Sequence, residues 1–133
     1  MDAGASSDLP IAVQTSNGAG YVYEHEVGFN ADGSPLTAFI ETADFDIGDG
    51  DNFAFIRRLL PDLSFVGSSA SPSITYTLKS RNNTDGTLVS QSSVDINNNT
   101  DFSMANVRAR ARQMRVRIES TDLDNGWRLG DVR

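Results

Sequence analysis

Residues 73–79 alternate strictly, with Ile74, Tyr76 and Leu78 on one side and Ser73, Thr75, Thr77 and Lys79 on the other. A strand sends successive side chains to opposite faces, so this segment predicts a strand that buries its apolar side. Residues 21–27 follow the same period: Tyr21, Tyr23, His25 and Val27 share one face, and Val22, Glu24 and Glu26 the other. Further strands are predicted over 36–42, 63–66 and 88–96, with turns at Asp32-Gly33, Asp85-Gly86 and Asn125-Gly126. The apolar run 53–60 fits strand or helix by period alone; its aromatics and its stop at Pro61 favour a strand.

The longest patterned segment is 107–120. Its early even positions hold Arg108, Arg110 and Arg112, whereas its later even positions hold Met114, Val116 and Ile118. Charged and apolar faces therefore exchange near Gln113, which one extra residue, a β-bulge, would produce in a continuous strand. Alanine and arginine leave a helix open, but Val116, Ile118 and the turn that follows favour a strand. These elements together predict an all-β, antiparallel β-sandwich-like domain over 21–133. Residues 1–20, rich in Ala, Ser, Gly and Asp, are expected to form a flexible or extended N-terminal arm. No repeat of fixed period points to a propeller or solenoid.

Composition agrees with short strands and turns. Hydrophobic residues make up 38% of the 133, somewhat below the usual share. The chain has no cysteine, which excludes disulfides, thiol catalysis and sulfur-ligated metals. No apolar run approaches the ~20 residues that a membrane-spanning helix needs, and residues 1–10 do not resemble a signal peptide.

Charge changes the picture more. The net charge of −7 hides an asymmetry: residues 1–56 carry ten acids and no Lys or Arg, while six of the eleven basic residues fall between Arg108 and Arg128. Either neighbouring copies meet head to tail, or both charge sets solvate exposed faces. On the first alternative Arg108, Arg110, Arg112, Arg115 and Arg117 are subunit-interface candidates, since guanidinium suits carboxylate forks at such boundaries. Trp127 joins them as a core or interface anchor, expected to pack on the Met114, Val116, Ile118 strand. The same arginines could track phosphates, but the chain is acidic overall and their strand has no interleaved aromatics.

Candidate chemistry is sparse. The single histidine, His25, lies between Glu24 and Glu26 with no nucleophile motif to serve, and reads as a partly buried strand histidine. Asp44, Asp46, Asp49 and Asp51 form an acidic, glycine-rich loop that could offer oxygens to calcium. The EF-hand pattern fails, however: counted from Asp44, its glycine position holds Asp49 and its final glutamate position Phe55. Such loops more commonly bond their own backbone. No cofactor and no enzymatic activity are expected. Asn82-Asn83-Thr84 and Asn98-Asn99-Thr100 match the short glycosylation pattern and are read as ordinary loop residues.

Two stretches carry a resemblance. The first is Phe39-Ile40-Glu41-Thr42, then Phe45-Asp46-Ile47-Gly48-Asp49-Gly50-Asp51 and Phe53-Ala54-Phe55-Ile56-Arg57-Arg58-Leu59-Leu60-Pro61-Asp62. The second is Val107-Arg108-Ala109-Arg110-Ala111-Arg112-Gln113-Met114-Arg115-Val116-Arg117-Ile118-Glu119-Ser120, then Gly126-Trp127-Arg128-Leu129-Gly130. From about residue 20 onward, the chain resembles the C-terminal part of tail nozzle or hub proteins of tailed phages, particularly short-tailed ones. The resemblance implies a virion structural subunit made in the host cytoplasm, packing in rings around the DNA exit channel. Its partners would be copies of itself and other tail or adaptor proteins, with non-specific contact to packaged DNA. The sequence departs from such proteins in lacking the preceding residues that build a propeller-like body, and in ending at Arg133. The alternative, from a different class, is a receptor- or carbohydrate-binding β-sandwich at a tail tip, assisted by calcium in the acidic loop.

Overall fold

The computed structural model describes residues 11–16, 18–25, 27–46, 52–67, 69–83, 85–97 and 104–130. In chain order, β1 (Ile11–Ser16) and β2 (Ala19–Glu24) form one hairpin, and β3 (Asn30–Ala31) and β4 (Ser34–Pro35) a smaller one. There follow β5 (Ala38–Glu41), β6 (Phe45–Asp46), β7 (Ala54–Leu59), β8 (Leu63–Phe65), β9 (Ser73–Arg81) and β10 (Val89–Asn97). The last strands are β11 (Ala105–Ala111), β12 (Gln113–Ser120) and β13 (Trp127–Leu129). Every pairing is antiparallel, and no helix occurs among the described residues. The chain is an all-β, antiparallel, sandwich-like domain.

The main sheet runs β10-β9-β12-β5, with β6 also pairing to β12. Its inner face follows from the alternation in the sequence: Ile74, Tyr76 and Leu78 on β9 are almost completely buried, as are Met114 and Ile118 on β12 and Ile96 on β10. Registers place Val116 opposite Leu78 and Ile118 opposite Tyr76, so apolar side chains stack in rows across the strands. The second layer is built from two separate pairs, β11-β7 and β13-β8. Ala105, Val107, Ala109 and Ala111 turn inward from β11, where small side chains let one layer approach the other. Leu63, Phe65, Trp127 and Leu129 pack on the same core from β8 and β13. Each of the largest buried side chains stabilises by roughly 1.5–3 kcal/mol.

The exchange of faces near Gln113 is real, but a bulge within one sheet is not its cause. A bend at Arg112 separates β11, which buries its odd positions, from β12, which buries its even ones. β11 pairs with β7 and β12 with β9, so the chain crosses from one layer to the other at this point. A strand that changes sheets must present its opposite face to the shared core, and the sequence records that switch.

Two turns carry the conformations their residues suit. Asp32 and Gly33 have φ of 49° and 73°, the double positive φ of a two-residue hairpin turn between β3 and β4. Within 1–20, residues 11–16 pair with 19–24 around Gly18 (φ 81°), so this part of the expected arm is a hairpin. The predicted strand over 21–27 gives way after Glu24, and His25 lies exposed in a bend.

Candidate functional site

The bend at Arg112 divides the arginine row into two faces with different electrostatics. On β12, Arg115 and Arg117 point away from the core, between Lys79 and Thr77 of β9 on one side and Glu41 of β5 on the other. Because β12 is a central strand, cations on its outer face have neighbours on both sides. Glu41 accepts from Lys79 Nζ at 2.7 Å, from Arg115 at 2.8 Å and from Arg117 at 3.4 Å. Asp44 pairs with Arg115 Nε at 3.0 Å and also with Arg81. Arg117 adds Glu119 at 2.8 Å and lies 4.0 Å over the Phe39 ring.

This network holds four cations and three carboxylates and is close to neutral. Hydrogen bonds from Lys79 and Arg115 hold the Glu41 carboxyl down to about 2, against 4.5 ordinarily. Arg115 likewise holds Asp44 below the usual carboxylate range, while Asp44 and Glu41 raise Arg115 in return. A depressed carboxylate contributes stability that is full above its ordinary pKa and is lost as pH falls through its folded one. The stability difference between the wild-type chain and a Glu41→Gln variant is therefore constant at neutral pH. It shrinks as pH falls from 4.5 to about 2, a window that thermal melts of both proteins across acid pH will read.

Arg115 and Arg117, expected as subunit-interface candidates, are thus engaged by carboxylates of the acidic first half within one chain. Glu41 and Asp44 belong to that half and reach these arginines within the chain, because the sheet order lays β5 and β6 beside β12.

The β7-β11 pair offers the second face. Arg108 and Arg110 lie exposed on β11, and Arg110 stands opposite Phe55 of β7. Arg110 lies 4.8 Å over the Phe53 ring, and Arg57 lies 5.3 Å over Phe55. Both rings are about half exposed, at 50% and 48%. None of Arg57, Arg58, Arg108 and Arg110 has a carboxylate within ion-pair distance among the described residues. A groove of about 580 Å³ runs between this face and β10, lined by Phe55, Arg57, Ser92, Asn106, Val107 and Arg108. The Arg108 backbone N–H donates to Ser92 Oγ at 3.2 Å and so ties β11 to β10 at the groove. The arginines' own strand has no aromatics, as expected, but rings reach this face from Phe55 of β7 and from Phe53 just before it.

The remaining candidates separate. Arg112 occupies the bend itself. Trp127 sits opposite Phe65 and packs on the core that contains Met114, Val116 and Ile118, so its ring serves the interior of the chain. Asp44 is committed to two guanidinium groups, which disfavour a divalent cation beside it. Asp46 is exposed on β6, and Asp49 and Asp51 lie outside the described residues. Among the described residues no three His, Asp or Glu side chains converge as metal ligands. No described helix is long and apolar enough to cross a membrane.

No protein-family model matches the sequence. No curated protein matches it. No solved structure matches either.

Proposed function

We propose that this chain is a non-catalytic structural subunit of a bacteriophage tail, binding copies of itself and neighbouring tail or adaptor proteins through the β7-β11 face. The observation that carries the reading is the contrast between the two arginine faces. Arg115 and Arg117 are neutralised within the chain, whereas Arg57 and Arg110 lie over half-exposed phenylalanines and Arg108 lines the adjoining groove, none with a carboxylate partner among the described residues. Arginine and aromatic side chains are enriched where protein surfaces meet, and a guanidinium stacked on a ring keeps its hydrogen-bonding edge for a carboxylate. The acidic segment 1–56 of a neighbouring copy can supply such carboxylates. The resemblance to nozzle or hub proteins supports the same reading, in which the subunit lies by the DNA exit channel of the particle.

Light scattering over a concentration series tests this proposal. Replacing Arg108 and Arg110 together with alanine weakens self-association by at least about tenfold, since a desolvated ion pair broken on one side costs roughly 3–5 kcal/mol. Circular dichroism stays unchanged, because both side chains are exposed. Unchanged association combined with lost affinity for duplex DNA would assign the row to phosphate contacts and overturn the proposal.

A further inference from the structure

The β1-β2 hairpin stands apart from the sandwich: its strands form a two-stranded sheet that pairs with no other described strand. Such a hairpin is marginally stable in water unless something covers one of its faces. Its register sets Val13 opposite Val22 and Ile11 opposite Glu24. Directly opposed residues share a face, so one side carries Ile11, Val13 and Val22 with Glu24 at its end. These apolar side chains are left in water: Ile11 is 62% exposed, Val13 72% and Val22 70%.

Elsewhere the chain has a surface of matching character. An apolar cleft of about 390 Å³ opens between the two layers of the sandwich, where β5 and β6 diverge from β7. Its walls include Ile40, Phe45, Ile56 and Leu129, and its base reaches the core side chains Leu78 and Val116. The charged side chain on its lining is Arg58, whose guanidinium touches the Met104 sulfur at 4.0 Å and no carboxylate among the described residues. An apolar hairpin face ending in a glutamate meets an apolar cleft edged by an arginine.

From this complementarity we infer that the β1-β2 hairpin of one copy docks in the β5-β7 cleft of a second copy, its Ile11-Val13-Val22 face inward and Glu24 against Arg58. The chain's own hairpin does not occupy this cleft, since its apolar face is exposed, and the segment after it is held to the loop before β13. Asn30 exchanges two hydrogen bonds with Asp124, at 2.6 and 2.8 Å, and the Phe29 ring lies against Gly126. Two different surfaces meeting in this way make a heterologous contact, which closes into a ring or continues as a filament. The inference rests on the assembly reading above for its choice of a second copy as partner.

The absence of cysteine makes the test clean. Val22 and Ile40 are both exposed, so Val22→Cys and Ile40→Cys leave the fold in place. After mild oxidation, the double variant is expected to give a ladder of covalent dimers, trimers and larger species on a non-reducing gel. An equal mixture of the two single variants should stop at the dimer. An internal disulfide running as monomer, or dimers formed by Val22→Cys alone, would overturn docking in a second copy. A second variant, Val13→Asp with Val22→Asp, should weaken self-association of the otherwise native chain by about tenfold or more; unchanged association contradicts the inference. Association that depends on Arg108 and Arg110 without any Val22–Ile40 product would sink hairpin docking alone. A wild-type chain that stays monomeric would sink the assembly reading as well.

Discussion

Replacing Ile74 with alanine should cost about 2–5 kcal/mol of folding stability, the range for truncating a fully buried aliphatic side chain. Ile74 is completely buried and faces Ile96, which is equally buried, across the β9-β10 register. It lines none of the clefts described above, so the space left by the missing carbons is closed by moving well-packed neighbours. Leu78 is a useful control. It too is completely buried, but it forms part of the base of the β5-β7 cleft. A cavity there merges with an existing opening, so Leu78→Ala should cost less than Ile74→Ala although both lose similar apolar volume. Urea unfolding of the two variants gives the comparison directly; equal or reversed costs would contradict the packing described here.

Gly67→Ala should destabilise by on the order of 3 kcal/mol, a large effect for the addition of one methyl group. The loop after β8 lies directly on the loop before β13. Val66 and Gly67 donate their N–H groups to the Gly126 carbonyl at 2.8 and 3.3 Å, and Ser69 donates to that of Asp124 at 3.0 Å. A Cβ on Gly67 would overlap the Asp124 carbonyl oxygen and the Gly126 nitrogen. Those are backbone atoms, which cannot rotate aside, so the loops must part and the hydrogen bonds lengthen. Hydrogen exchange should show protection lost at Val66 and Ser69 along with a lower melting temperature. A variant within about 0.5 kcal/mol of wild type would show that the loops are not held this closely.

Much of the fold was legible because burial in a sheet leaves a period of two. β9 could be read face by face, and the strand choice for 53–60 and 107–120 follows from the same alternation. The slip at Gln113 was visible as a change of phase, yet phase alone does not distinguish a bulge from a strand that passes between layers. That distinction depends on which strands lie alongside, a non-local property. The β1-β2 hairpin was readable in part: Asn17-Gly18 between alternating residues is a hairpin signal, but the small polar residues around it suggested an arm.

The candidate site was less legible, for the same reason. Glu41 reaches Arg115 and Arg117 across 74 and 76 residues of sequence, and Asp44 reaches Arg115 across 71. Counting charges by segment set the acidic half apart from the arginines, whereas strand order decides which acid meets which base. Phe53 and Phe55 were equally hidden as companions of Arg110, since their meeting depends on how β7 lies beside β11. The alternation of arginine with alanine on β11 did mark one exposed charged face correctly.

The central claim is that the two arginine faces divide the work, with Arg115 and Arg117 serving the fold and Arg108 and Arg110 serving assembly. Sedimentation velocity and thermal melts on two double variants, Arg108→Ala with Arg110→Ala and Arg115→Ala with Arg117→Ala, test it most directly. The first variant should lose self-association and keep its melting temperature. The second should melt at lower temperature and, while folded, associate as the wild type does. The reverse pattern, or equal loss of association in both, would contradict the claim.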